Sequence, residues 1–376
     1  MRKSERMRIV IAPDSFKGTA SAVQVAEAIA AGWRDVRSGD ELIELPMADG
    51  GEGTLDAFEL AVAGATRMPV EVTGPDGRDV QASWMLLPPT EGLPGGTAMV
   101  ELAETSGLPL LKRLDPLGAH TLGFGQAIAD ALDHGVSRLL LGIGGSASTD
   151  GGTGALVALG ARLLDDRGEP LPLGGAALER IAEVDLSGLR SLPPSGALVL
   201  SDVTNPLLGP SGAAQIFGEQ KGADARQRDR LDAANAAWAR AVAQVAHVDP
   251  ATPGAGAAGG TGFGLLLWGA RLASGATTIA DAVGLDACLA AADLVVTGEG
   301  RYDAQTDSGK APAIVAARAE LASVPLALVA GAITAPPADG VVALSLTDLA
   351  GGAAAAMADP LTWLREAGRR LAARAA

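Results

Sequence analysis

The apolar positions along the chain fall into short runs that stop abruptly at small polar residues. Met7 to Ala12 is the first such run, and Pro13-Asp14 ends it, which predicts a buried strand. Ser21 and Gln24 have capping-box spacing, and Val25, Ile29 and Trp33 share one face of the helix expected to follow. Glu41 to Leu45 predicts a second strand, followed by PMADGGEGT and a helix through Leu60. This strand-loop-helix alternation is the unit of a parallel sheet.

Near Thr66 the period changes. VEVTGPDGRDVQASWMLL alternates every second residue around Asp76-Gly77, which predicts a hairpin. Strands are expected at Thr97–Leu102, Arg138–Ile143 and Ala197–Ser201, with helices over Thr121–His134 and Arg226–Val245. Past Gly284 the simple alternation returns: DLVVT, a polar loop, a helix to Leu321, PLALVAG, VVALSL and a last helix ending in Arg369, Arg370 and Arg374. That basic end predicts compensation of the helix dipole. The two ends therefore predict one discontinuous Rossmann-like α/β domain, residues 1–69 and 286–376. Residues 70–285 predict an inserted α/β domain carrying the hairpin. The expected fold class is α/β, two domains with largely parallel sheets, the second inserted into the first.

Composition narrows the function. The chain has 376 residues, 48% hydrophobic and only 3% aromatic, so Ala, Leu and Val must build the cores. A net charge of -15 argues against nucleic acid or an anionic membrane as partner, while admitting a small anionic substrate in a locally positive pocket. The lone Cys288 forms no intrachain disulfide, and no stretch is long and apolar enough to span a bilayer. A cytoplasmic protein is expected, either monomer or homodimer.

The chemistry concentrates where strands end. APDSFKGT, ADGGEGT, GIGGSASTDGGTG, SDVTNPLLGPSG and TGEGRYDAQTDSGK each follow an apolar run and precede a helix. Ligands of parallel sheets bind at such carboxyl ends, where glycines bring backbone N–H groups close to an anion and helix N-termini favour its charge. Any one of these loops reads equally well as a turn; five of them, with Lys17, Arg301 and Lys310 alongside, do not. Asp14, Asp49, Glu52, Asp150, Asp202, Glu299 and Asp303 add carboxylates. Cations for a moving phosphoryl group and acids for a metal ion suit phosphoryl transfer. A Walker A loop is missing, since Lys310 is followed by Ala311. Gly254, Gly256 and Gly259 fit GxGxxG without a preceding strand. Gly142, Gly144 and Ala147 fit GxGxxA after one, with Asp165 at a suitable distance, which keeps an NAD-dependent oxidoreductase of a small hydroxy acid as an alternative. A non-catalytic nucleotide or sugar-acid sensor is the other.

In their order and length, IAPDSFKGT, PMADGGEGT, VELAETSGL, LGIGGSASTDGGTGAL, LSDVTNPLLGPSGAAQIFGEQKGA and VVTGEGRYDAQTDSGKAP resemble the bacterial glycerate kinase family distinct from P-loop kinases. The resemblance runs from Met7 almost to the end. It implies ATP-dependent, Mg²⁺-requiring phosphorylation of D-glycerate to 2-phosphoglycerate, in a cleft between two α/β domains. On that basis Gly144, Gly145, Ser146, Thr149 and Gly151 are expected to hold ATP phosphates. Ser15, Lys17, Arg301 and Asp49 are expected to bind substrate. Asp202, with Asp150 as second choice, is expected to orient or deprotonate the glycerate hydroxyl beside Lys17. Glu299, Asp303 and Glu52 are expected around Mg²⁺.

Overall fold

The computed structural model describes residues 6–303 and 310–375. The chain divides into two compact units. The first comprises Met1–Asp49, Asp56–Ala63 and Ala276–Ala376; the second comprises Gly50–Leu55 and Gly64–Gly275. The short segment Gly50–Leu55, inside PMADGGEGT, thus belongs with the second unit although residues on both sides of it belong to the first.

The first unit is built on β1 (Arg8–Ile11), β2 (Glu41–Glu44), β11 (Leu294–Tyr302), β12 (Leu326–Ile333) and β13 (Val342–Ser345). The eight strands between β2 and β11 belong to the second unit and are given below. The sheet order is β13-β12-β11-β1-β2, and every pair is parallel. β1 lies between β2, its neighbour in sequence, and β11, which arrives only after the whole second unit. Parallel pairing needs a crossover for each strand, so all five carboxyl ends lie along one edge of the sheet.

The helix Ala22–Val36 covers this sheet. Its capping box is formed as predicted: Gln24 N–H donates to Ser21 Oγ, and Ser21 N–H donates to Gln24 Oε1. Val25, Ile29 and Trp33 are fully buried, each worth roughly 2 kcal/mol of apolar burial. Glycines let the helix Pro360–Arg374 lie against it. A Cβ on Gly32 would sit 1.8 Å from the Arg365 carbonyl oxygen, and one on Gly368 would sit 2.2 Å from that of Ile29. Asp35 fixes the crossing from outside, with Arg365 at 2.9 Å and Arg369 at 2.8 Å. Those two arginines, Arg365 foremost, hold the Asp35 carboxyl down at about 2. Arg370 pairs with Glu366 one turn earlier. Of the three arginines expected to compensate its dipole, Arg369 and Arg370 therefore also serve ion pairs.

The second unit has a mixed sheet of β3 (Thr66–Thr73), β4 (Asp79–Leu87), β5 (Thr97–Glu101), β6 (Arg138–Gly142), β9 (Ala197–Leu200) and β10 (Arg271–Ala273). The order is β10-β9-β6-β5-β4-β3, parallel from β10 to β5 and antiparallel across β5-β4-β3. β3 and β4 are the predicted hairpin, turning at Asp76-Gly77 with Gly77 at φ 83°. A separate antiparallel pair, β7 (Arg162–Asp165) and β8 (Ile181–Asp185), had no clear signal in the sequence. Trp84 and Trp238 are fully buried in this unit, and Trp84 meets His134, the C-cap of the helix Leu122–Asp133, edge-on at 5.5 Å. No described helix is long and apolar enough to cross a membrane.

Candidate functional site

In the first unit a cavity of about 460 Å³ lies along the carboxyl ends of the parallel strands. Asp14, Ser15 and Lys17 reach it from the loop after β1, and Asp49 from the loop after β2. Glu299, Gly300 and Arg301 come from the end of β11, followed by Asp303, with Lys310 just ahead of the helix Ala311–Leu321. The segment 304–309 of the predicted loop lies outside the described residues.

This end of the cavity mixes both signs of charge. Lys17 Nζ lies 3.8 Å from Asp49 Oδ2, and Arg301 Nε lies 3.6 Å from Asp303 Oδ2. Both cations are largely exposed, so these are loose pairings worth little and easily exchanged for a ligand anion. Asp14 is held more tightly: Ser15 N–H donates to its Oδ1 at 2.6 Å. Burial, and next the like charge of Asp49, push the Asp14 carboxyl up to about 6. Glu299 adds to the rise, while the Ser15 hydrogen bond and Lys17 oppose it. A raised carboxyl inside a charged cavity is a mark of a functional acid. The sequence had shown Asp14 as one strand-end carboxylate among several, with nothing to set it apart.

Among the described residues no three His, Cys, Asp or Glu side chains gather closely enough to hold a metal ion by themselves. Mg²⁺ usually takes one or two carboxylates and completes its shell with water and substrate phosphates. Asp14 and buried Glu299, whose mutual repulsion a divalent cation would relieve, fit that pattern. Of the other acids expected at the metal, Asp303 faces Arg301, and Glu52 is an exposed residue of the second unit.

The second unit holds the glycine-rich loop after β6. Its side chains turn inward. Ser146, Ser148, Thr149 and Asp150 are buried. The Ser146 hydroxyl lies 3.2 Å from the carbonyl oxygens of Ser148 and Ala258, and Gly151 N–H donates to Gly259 O at 3.1 Å. Gly144 N–H donates to Gly50 O at 3.1 Å. Of the five residues expected to cradle phosphates, only Gly144 and Gly145 keep surface exposed, and the amide of Gly144 is already engaged.

Asp150 is wholly enclosed. Its Oδ2 accepts from the Thr121 amide and hydroxyl at 2.9 and 2.8 Å and from Gly154 N–H at 3.2 Å. Its Oδ1 accepts from the Ser148 hydroxyl at 3.1 Å and Gly152 N–H at 3.3 Å. The carboxylate thereby caps the start of the helix Thr153–Ala158 and ties it to Thr121. Asp202, by contrast, is exposed at the end of β9 and accepts from Gly275 N–H at 3.1 Å.

Two residues of this loop system carried no role in the sequence reading. Glu101, at the end of β5, accepts from Gly53 N–H and Leu55 N–H, both at 3.1 Å, and so anchors the segment Gly50–Leu55. Lys221 is buried, donating to Ser146 Oγ at 3.0 Å and also to Ser148 O. Burial pushes its amine down to about 7, with Asp150 acting the other way. The stretch QIFGEQKGA places Lys221 directly after Glu219 and Gln220, both exposed, so its local sequence does not mark it as buried. The unfolded chain holds this proton up to its ordinary value near 10.5, so the unfolded state binds more protons above pH 7 and stability rises with pH there. Wild type should gain about 2 kcal/mol between pH 7 and 9 relative to Lys221→Met. Urea unfolding at both pH values checks this, and equal slopes for the two proteins would remove the claim.

The decoy motifs also resolve. Gly259, at φ 69°, lets the kinked segment around Ala258 press on the loop, where a Cβ would meet Ser148 O at 2.1 Å. Asp165 Oδ1 accepts from Arg167 N–H and Glu169 N–H and so closes its own turn.

An acid-and-cation cavity at the carboxyl edge of a parallel sheet is the arrangement of an α/β enzyme that handles anionic groups. The comparisons identify the family. Residues 9–376 match the glycerate kinase family, to which this chain belongs. The chain is 42% identical over 333 residues to glycerate 2-kinase of Escherichia coli K12, covering 87% of this chain and 86% of that one. It is 44% identical over 333 residues to glycerate kinase of Bacillus subtilis 168, with the same shares covered. A crystal structure described as glycerate kinase 2 from Salmonella typhimurium LT2 superposes with a TM-score of 0.84 at 42% identity, covering 98% of both chains.

Proposed function

We propose that this protein transfers the γ-phosphoryl group of ATP to D-glycerate, forming 2-phosphoglycerate, with Mg²⁺ as cofactor. The observation that carries this reading is the cavity of the first unit, which gathers Lys17, Arg301 and Lys310 with Asp14, Asp49 and Glu299 at one sheet edge. The E. coli relative's name supports phosphorylation at the 2-position.

The roles follow from the chemistry. Ser15, Lys17 and Arg301 bind anionic oxygens, the exposed cations exchanging Asp49 and Asp303 for a phosphoryl or carboxylate group. Asp14 and Glu299 hold Mg²⁺, which when bound neutralises charge on the phosphates. Phosphoryl transfer asks the protein mainly for positioning and charge stabilisation. Asp202 orients the glycerate hydroxyl, and Asp150 keeps a purely structural part. Mixing the protein with ATP, Mg²⁺ and D-glycerate should release ADP and give the ³¹P resonance of 2-phosphoglycerate. A 3-phosphoglycerate signal would overturn the regiochemistry, and no turnover would overturn the assignment. Asp202→Asn should lower kcat at least ~10²-fold with thermal stability unchanged. A kcat within a few-fold of wild type would remove Asp202 from the reaction.

A further inference from the structure

The cavity of the first unit changes character along its length, and the sheet order dictates where. Asp49 after β2, Asp14 after β1 and Glu299 within β11 come in spatial succession. Farther along the same edge β12 contributes Gly331 and Ala332, and Thr347 beyond β13 is tied back by its hydroxyl to Gly331 O at 2.8 Å. There the lining becomes apolar: Leu346, Ala353, Ala356, Met357 and Pro360. Among the described residues no charged side chain lines this part. From β1 to β13 is three strand spacings, about 14 Å. The cavity of about 460 Å³ is far larger than a three-carbon acid fills.

We propose that the apolar end, beside β12 and β13, is the site of the nucleobase of the phosphoryl donor, with its phosphates running along the edge toward Lys17 and Arg301. This deepens the kinase reading above and rests on it. An elongated ligand with a flat apolar ring at one end and several negative charges at the other matches the lining in both chemistry and order. Ala353 and Ala356 leave a shallow wall that a ring can cover, and Met357, 62% exposed, supplies a polarizable side chain to close over it. The Gly144–Gly151 loop offers no comparable apolar surface, since its side chains are turned into the second unit.

The test separates base from phosphate by binding rather than turnover. ADP and inorganic tripolyphosphate are titrated calorimetrically, each with Mg²⁺, into wild type, Ala353→Trp and Met357→Glu. Both positions are exposed, so the variants should keep the wild-type melting temperature. Ala353→Trp fills the apolar end, and Met357→Glu places a charge against it. Each should weaken ADP at least about tenfold and change tripolyphosphate by less than about twofold, since a charge about 14 Å away is screened at physiological salt. Equal losses for both ligands, unchanged ADP affinity in both variants, or no ADP binding by wild type would each overturn the proposal. Selective ADP loss in a protein that turns over no D-glycerate would leave the base site standing and sink only the glycerate assignment.

Discussion

Asp14→Asn is expected to abolish phosphoryl transfer and yet make the metal-free protein more stable at pH 8. Asp14 has its carboxyl raised from 3.8 to about 6 by burial and by Asp49. Between those values the folded protein holds a proton that the unfolded chain has released, so stability falls as pH rises from 4 to 6. Above pH 6 both states are ionised and the cost is complete. A shift of this size corresponds to about 3 kcal/mol, which partial contact with water reduces to about 2. Asparagine keeps the acceptor for Ser15 N–H and removes the charge. Urea unfolding in EDTA should therefore show the variant about 2 kcal/mol more stable at pH 8, with the gap closing by pH 4. Added Mg²⁺ should stabilise wild type more than the variant, because a ligand stabilises the state that binds it. A variant no more stable at pH 8, or one retaining more than a tenth of wild-type turnover, would deny Asp14 its place. This destabilisation is the kind that active sites retain because their chemistry needs it.

How far the site could be read beforehand follows from the range of its interactions. The parallel unit at each end of the chain was legible, because a strand, its loop and its helix are specified by adjacent residues. The capping box at Ser21 and Gln24 and the hairpin at Asp76-Gly77 were legible for the same reason. The strand-end rule also found Ser15, Lys17, Asp49, Glu299, Arg301 and Asp303, which the structure brings to one cavity. The rule does not say which way a loop faces. GIGGSASTDGGTG has the same composition whether its donors face a phosphate or neighbouring backbone. The partners that decide the matter, Lys221 and Ala258, lie 75 and 112 residues from Ser146. Lys221 was invisible as a buried group because its burial is a property of that distant packing. The apolar end of the cavity was missed because Ala353 and Met357 carry no chemistry of their own; only the order β11-β12-β13 shows what they adjoin.

Asp150→Ala should be the most destabilising change at any of the expected catalytic positions, and its damage should be structural. The carboxylate receives two backbone N–H groups at the start of one helix, the amide and hydroxyl of Thr121, and the Ser148 hydroxyl. Alanine leaves these donors in a space closed to water, where each unmet bond to a charged acceptor is expensive. The loss also spreads: Thr121 Oγ1 accepts from Ala155 N–H at 3.0 Å, and its orientation depends on donating to Asp150. Removing one member of such a buried arrangement costs about 3–5 kcal/mol. Lys221 should feel the change as well, because Asp150 is the charge that favours its protonated form, so its amine should fall further. Asp150→Ala and Asp202→Asn then form a contrast. The first should lower the unfolding midpoint sharply and lose turnover in proportion to the unfolded fraction. The second should leave the midpoint in place and lose turnover outright. Measuring kcat well below the melting transition of each variant distinguishes the two. An Asp150→Ala protein that melts like wild type but does not turn over would return Asp150 to the chemistry.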